Sequence, residues 1–392
     1  MIYLDNNATT RPCDQAVREA TDMLGAYWHN PSAAYRAGQD ARRRIELARK
    51  HVAALIGCRG REIVFTSGGT ESVNLAIRGV LALMPMDRRT IVTSPIEHEA
   101  VRDLLAHLAS VREHPIAVRE LPIDRHGFLC PDQLAAALDD SVAMVSLQWA
   151  NNETGAIQPI QALASVARSR NILFHSDATQ AAGKVPIDLS AAHKDIDLLT
   201  LSAHKFHGVK GAGALFVREG VRIAPTVHGT QELARRGGTE STVCLAAMGA
   251  AAEVARAWLV DDANRDAVTK LRDTLERALL EQCAGAILIS PPDTSHRLWN
   301  TVNIAFPGVR AELLVISLSE AGVCASAGSA CASGAMESSP VVEAMDLPEG
   351  TPEDIAYSSV RFSLSRETTK DEIDRAIKII VRCAQNLVGG SI

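Results

Sequence analysis

The sequence has no surplus of positive charge: 40 Lys and Arg stand against 46 Asp and Glu in 392 residues, a formal net charge of −6. That balance leaves no general basic surface, and direct contact with nucleic acid is not expected. The N-terminal MIYLDNNATT has no basic segment followed by an apolar run, so no signal peptide is expected. Long apolar runs are missing too. The stretch 245–254 is too short to span a bilayer and Glu253 interrupts it, which sets a membrane aside. The eight cysteines (Cys13, Cys58, Cys130, Cys244, Cys283, Cys324, Cys331, Cys383) form no CxxC pair; they read as mostly reduced thiols in a cytoplasm. No ligand spacing announces an intrinsic metal site, and repeats, low-complexity tracts and long linkers are absent. Aromatics are sparse at 4%, but the hydrophobic content of 47% is ordinary for a globular protein, and the length has room for two domains and a large core.

What the sequence does contain is an alternation. Turn signals and apolar runs predict strands at 62–67, 90–94, 119–122, 143–149, 172–176, 198–202 and 214–217. Helical patterns at 12–24, up to 56, 70–82, 99–108, 132–138, 160–168 and 242–258 separate or flank them. Strands alternating with helices imply an α/β fold with a mainly parallel sheet covered on both faces, and ligands in such sheets bind beyond the carboxyl ends of the strands. After about residue 258 the character changes to mixed helices (265–282, 312–320) and strands (286–290, 301–306, 360–364), closed by a helix that starts with a capping box, Thr369 to Glu372. The expected organisation is a large domain over 15–258 and a smaller α+β domain built from 1–14 and 259–392.

Five predicted strand ends carry polar residues. Ser67-Gly68-Gly69-Thr70-Glu71-Ser72 is a glycine turn into a helix, either a plain turn with Thr70 as cap or a seat for an anion. His98 ends the next unit and reads as a helix cap or as a ring-stacking, proton-relaying group. Asn152 lies in a turn after Trp149. Asp177 ends an apolar strand, where a half-buried carboxylate needs a cationic partner; a protonated pyridine nitrogen would serve. Lys205 follows the strand of LLTLSAHKFHGVKGAG, where it either snorkels to water or forms a Schiff base with an aldehyde cofactor. Taken singly each position has an ordinary explanation, but the set of Thr70, His98, Asn152, Asp177 and Lys205 is not easily assigned to chance. Arg361 adds a guanidinium to an otherwise apolar strand, suited to a bidentate grip on a carboxylate. The run 325–334, ASAGSACASG, has small residues and no apolar periodicity, so it reads as a mobile surface loop displaying Cys331, while Cys324 packs in the strand before it.

HSDATQ (175–180) followed by SAHKFHG (202–208) resembles the class V pyridoxal-phosphate enzymes of fold type I, and within them the cysteine desulfurases of the NifS/IscS kind, group I. The resemblance runs through YLDNNATT (3–10), TSGGTES (66–72), NNETG (151–155), RRGGT (235–239) and RFSLSRETT (361–369). It implies a large domain with a seven-stranded sheet, a small domain carrying the nucleophile loop at about 324–338, and pyridoxal 5′-phosphate as cofactor. Lys205 would carry the cofactor, Asp177 would pair its ring nitrogen and His98 would stack on the ring. Gln180 and Asn152 would flank the O3′ side, and Gly69, Thr70, Ser202 and His204 would hold the phosphate. Thr239 would reach the phosphate of the neighbouring subunit of a homodimer. Arg361, with Asn152, would hold the carboxylate of L-cysteine, and Cys331 would take its sulfur as a persulfide, leaving L-alanine.

The resemblance also implies a sulfur-acceptor protein, an iron–sulfur scaffold or a protein of tRNA or DNA thiolation, with Cys331 a candidate ligand of a transient iron–sulfur cluster completed by such a partner. Three segments depart from the family pattern: His228-Gly229-Thr230-Gln231-Glu232-Leu233 in place of GGGQER, Met336-Glu337-Ser338-Ser339-Pro340-Val341 in place of LEPSHV, and His207-Gly208-Val209-Lys210-Gly211 in place of HGPKG. Two alternatives stay open on sequence: another class V enzyme, such as an aminotransferase or selenocysteine lyase, which would not need Cys331, and a non-catalytic subunit of a sulfur-transfer complex.

Overall fold

The computed structural model describes residues 1–328 and 338–389, so the expected nucleophile Cys331 lies outside the described residues. The strands are β1 (Ile2–Tyr3), β2 (Ile63–Thr66), β3 (Thr90–Thr93), β4 (Ala117–Glu120), β5 (Val142–Gln148), β6 (Leu173–Asp177), β7 (Leu198–Ser202), β8 (Gly213–Val217), β9 (Ile287–Leu288), β10 (Thr301–Ala305), β11 (Val323–Cys324), β12 (Ser326–Ala327) and β13 (Ser359–Ser363). A seven-stranded sheet runs in the order β2-β8-β7-β6-β5-β3-β4. β8 is antiparallel to both neighbours and the other pairings are parallel. The fold class expected from the alternation of elements is therefore the one observed.

β5, β7 and β8 are buried along their whole length, which is why they read as continuous apolar runs rather than alternating ones. One face of the sheet packs Val64, Ile91, Met144 and Leu215 against the helices Gly69–Leu81 and Glu99–Ser110. The other face packs Phe65, Val145, Phe174 and Leu201 beneath Arg36–Leu55, Ile160–Ser169 and Thr242–Leu259. β3, β5, β6 and β7 run parallel, so their carboxyl ends deliver residues 94–98, 149–152, 177–180 and 203–205 to one edge of the sheet.

A second sheet, β12-β13-β10-β9, is antiparallel throughout. Its core joins Val302, Ile304, Phe362 and Leu364 to Leu275, Leu314 and Ile380 of the helices Asp262–Gln282, Ala311–Glu320 and Lys370–Gly389. The N-terminal segment belongs to this core: β1 pairs with β11, Asp5 bridges to Ser363, and Ile2 and Leu4 are buried with the cluster.

Four expectations change. Ser326 and Ala327, placed in a loop of small residues, form β12 against Val360 and Arg361; a strand held by backbone pairing alone leaves no side-chain pattern to read. The helix after β2 starts at Gly69 with Gly68 as cap, so Thr70 sits inside its first turn and caps nothing. β6 ends one residue later than expected and takes Asp177 into the sheet. The apolar run 245–254 lies within an 18-residue helix, Thr242–Leu259, that by length and composition alone could cross a membrane. Its Ala- and Gly-rich side is instead buried, against Met23 of Asp14–Gly25 and Ala41 and Ala48 of Arg36–Leu55.

Candidate functional site

A cavity of about 160 Å³ opens where the strand ends meet the small sheet. Among its lining residues are Lys205, Asp177, His98, Asn152, Gln180 and Arg361, so six of the residues singled out from sequence share one space. Lys205 sits in the single 3₁₀ turn Ala203–Lys205 that ends β7, and its Nζ donates to Asn7 O at 2.6 Å and Ala8 O at 2.9 Å. The carbonyls of the N-terminal segment thus hold the amine against the cavity. Asp177, 8% exposed at the end of β6, accepts from Thr179 N at 2.9 Å. His98 caps the helix Glu99–Ser110 by accepting from Ala100 N at 3.1 Å through Nδ1. In the neutral ring that leaves the proton on Nε2 and fixes how the imidazole faces the cavity.

Behind Thr179, which lines one end of the cavity, Gly69 stands outside the lining and opens a helix whose cap contributes no side-chain hydrogen bond, so its first N–H groups remain available to an anion. A Cβ at Gly69 would stand 3.1 Å from Thr179 Oγ1 and 3.7 Å from Ser202 Cβ. Thr179 Oγ1 is buried and has no hydrogen-bond partner among the described residues. The notch between Gly69, Thr179 and Ser202 is one that a larger residue at 69 would fill.

At the other end, Arg361 donates through one terminal nitrogen to Asp5 Oδ1 at 2.6 Å and through the other to Asn152 O at 3.1 Å. Its Nε is buried and without a partner among the described residues. Glu153, next to Asn152, accepts from Ser339 Oγ at 2.6 Å, and a Cβ at Gly328 would lie 2.5 Å from Glu153 Oε2. Gly328 and Ser339 flank the stretch that carries Cys331. Burial pushes the Glu153 carboxyl up to about 7. Glu97, buried under the cavity and accepting from Ser94 Oγ at 2.6 Å, is pushed up to about 8 for the same reason.

The other expected residues stand further off. Ser202 is buried and abuts the notch through Gly69. His204 does not line the cavity; its Nδ1 meets Thr9 Oγ1 at 3.2 Å, and burial, reinforced by Lys205 and other cations, pushes its pKa down to about 4. Thr70 faces a separate surface depression with Asn74, Glu99 and His107. Thr239 is exposed and lines neither space. Sequence reasoning passed over Asp5, Asn7 and Thr179, although all three lie in the motifs YLDNNATT and HSDATQ; their polarity at the end of apolar runs was the signal.

These residues fit pyridoxal 5′-phosphate. The helix N-terminus with the orphaned Thr179 hydroxyl suits a phosphate, the buried Asp177 carboxylate suits a protonated pyridine nitrogen, and Lys205 suits the aldehyde.

Residues 2–376 match the family described as Aminotransferase class-V. The chain is 44% identical over 381 residues to a cysteine desulfurase of Cereibacter sphaeroides, covering 97% of this chain and 94% of that protein. It is 42% identical over 379 residues to the cysteine desulfurase NifS of Azotobacter vinelandii, covering 96% and 91%. Among solved structures, a NifS-like protein superposes with a TM-score of 0.88 at 33% identity, covering 97% of this chain and 98% of that one.

Proposed function

The chain belongs to the class-V aminotransferase family and is a cysteine desulfurase, and we propose that it uses pyridoxal 5′-phosphate to take sulfur from L-cysteine, leaving L-alanine and a persulfide on Cys331. Bound at Lys205, the cofactor supplies an electron sink next to the substrate amino group, kept effective by the Asp177 carboxylate at its ring nitrogen. The Gly69 helix start with Thr179 and Ser202 would hold the phosphate, and Thr70 and His204 would add to that hold. Thr239 serves the neighbouring subunit of a homodimer.

Arg361 binds the substrate carboxylate, using the unpartnered Nε and the arm nearest Asn152, and so sets which face of the amino acid meets Lys205. Lys205 Nζ takes the α-proton and returns it, with the Asn7 and Ala8 carbonyls marking its resting position. His98 would support the cofactor ring and Gln180 would donate to its phenolic oxygen. The Cys331 thiolate attacks the substrate sulfur: an S–S bond forms as the C–S bond breaks, the bonding pair stays with the carbon skeleton, and that skeleton leaves as alanine after protonation. The persulfide sulfur then passes to an acceptor protein, an iron–sulfur scaffold or a thiolation protein, in the cytoplasm. Residues 15–258 act as the cofactor-binding domain, and 1–14 with 259–392 as the domain presenting Cys331.

The observation that carries this reading is the meeting of Lys205, Asp177, His98 and Arg361 in one cavity. Cys331→Ala tests it. Under single-turnover conditions with L-cysteine, alanine and transferable sulfur are expected to fall by about 10³-fold or more; stoichiometric release of both from the variant would overturn it.

A further inference from the structure

Lys184 is a lysine the reaction does not call upon, yet it is 4% exposed beside the cavity. Its Nζ donates to Gln180 Oε1 at 2.6 Å and to Asn7 Oδ1 at 2.9 Å. The charged groups that act on it are cations, Lys205 and Arg361; these and burial, the larger cause, hold its pKa well below the ordinary lysine value. It in turn bears on His204 and His207. Both hydrogen bonds it donates go to uncharged amide oxygens.

The directions around it admit one arrangement. Asn7 O is a carbonyl and accepts from both Lys205 Nζ, at 2.6 Å, and Gln180 Nε2, at 2.9 Å. Gln180 therefore turns its N–H side toward Lys205 and its oxygen toward Lys184. Asn7 Nδ2 donates to Asn152 O at 3.0 Å and Thr301 Oγ1 at 2.9 Å, so Asn7 Oδ1 is the acceptor left for Lys184 and for Asn300 Nδ2. Lys184 itself is pinned by Trp299 Nε1, which donates to its carbonyl at 2.9 Å. Without a donor at 184, Gln180 Oε1 would be a buried acceptor with no partner, and rotating the amide toward other donors would turn its carbonyl to the cavity.

We propose that Lys184 is a positioning residue that locks the Gln180 amide with its N–H, not its C=O, turned to the cavity, so that Gln180 can only donate to the phenolic oxygen of the bound aldehyde cofactor. The inference rests on Lys205 being the cofactor lysine. A donor at that oxygen favours its anionic form and keeps the proton-linked change in the cofactor's visible absorbance at lower pH.

The test is a pH titration of the visible band of the purified holoenzyme, with cofactor content and thermal midpoint recorded alongside. Lys184→Met is expected to move the absorbance midpoint up by about 0.5–1 pH unit, the worth of one hydrogen bond. In a Gln180→Ala background, itself shifted up, the same substitution is expected to move it no further. Lys184→Ala, read in the same way, serves if Lys184→Met does not accumulate as folded protein. An unshifted midpoint in Lys184→Met, or an equal shift with and without Gln180, overturns the proposal. Unsubstituted protein that takes up no aldehyde cofactor overturns the functional reading instead.

Discussion

The two ends of the cavity are both built to meet an anion, and they are prepared for it differently. Beside Gly69, a helix start without a side-chain cap and a buried Thr179 hydroxyl have no partner among the described residues. Beside Asn152, Arg361 is already held by Asp5 and a backbone carbonyl, and its Nε has no partner among the described residues. Unsatisfied donors are costly to leave buried, so an end built of them favours a group that stays. An end whose cation has an internal partner gives up less when its guest departs, and suits a group that exchanges at every turnover.

The largest expected effect separates the ends most cleanly. Arg361→Ala should raise KM for L-cysteine by about 30- to 100-fold, the worth of charge-assisted hydrogen bonds, while the dissociation constant for pyridoxal 5′-phosphate moves less than about 3-fold. Equal losses in both, by steady-state kinetics and cofactor titration, would break the comparison. Thr179→Val should do the reverse, weakening cofactor binding by about 10-fold and leaving KM for L-cysteine within about 3-fold.

Glu153 sharpens the picture of the exchanging end through pH. Its folded pKa of about 7 lies above the ordinary value of 4.5, so the folded protein holds the extra proton between these values. The resulting stability is present below about pH 4.5 and lost as pH rises through 7. Urea unfolding from pH 5 to 7 should show Glu153→Gln flattening that loss by up to about 1.4 kcal/mol per pH unit. An unchanged slope would mean the carboxyl is ionised throughout. The smallest effect belongs to Asp5→Asn, which frees Arg361 from its competitor and should lower KM for L-cysteine by about 3-fold. A rise in KM would show that Asp5 holds Arg361 in place more than it competes for it.

Asp177 and Lys205 were legible in the sequence because an apolar run ending in a charged residue is conspicuous, and parallel strands gather their ends at one edge. Arg361 was legible because a guanidinium interrupts an otherwise apolar strand, β13. The hub at Asn7 was not: it touches Asn152, Lys184, Lys205 and Thr301, 145 to 294 residues away, and no local pattern encodes such partners. Lys184 was hidden likewise, since a lysine after a glycine turn looks like a surface residue until tertiary packing covers it. Thr179 was quoted only as part of a motif; its orphaned hydroxyl exists because the helix start passes close enough to shelter it.

The N-terminal segment has a consequence for biosynthesis. Asn6 and Asn7 are fixed by Ser363, 357 and 356 positions later, and β1 waits for Val323 and Cys324. Nascent chains can thus complete much of the large sheet while the carbonyls that receive Lys205 still have no place to settle. Chains rich in contacts of such long sequence separation fold slowly. A chain without residues 323–363 therefore lacks the partners that seat the two carbonyls facing Lys205.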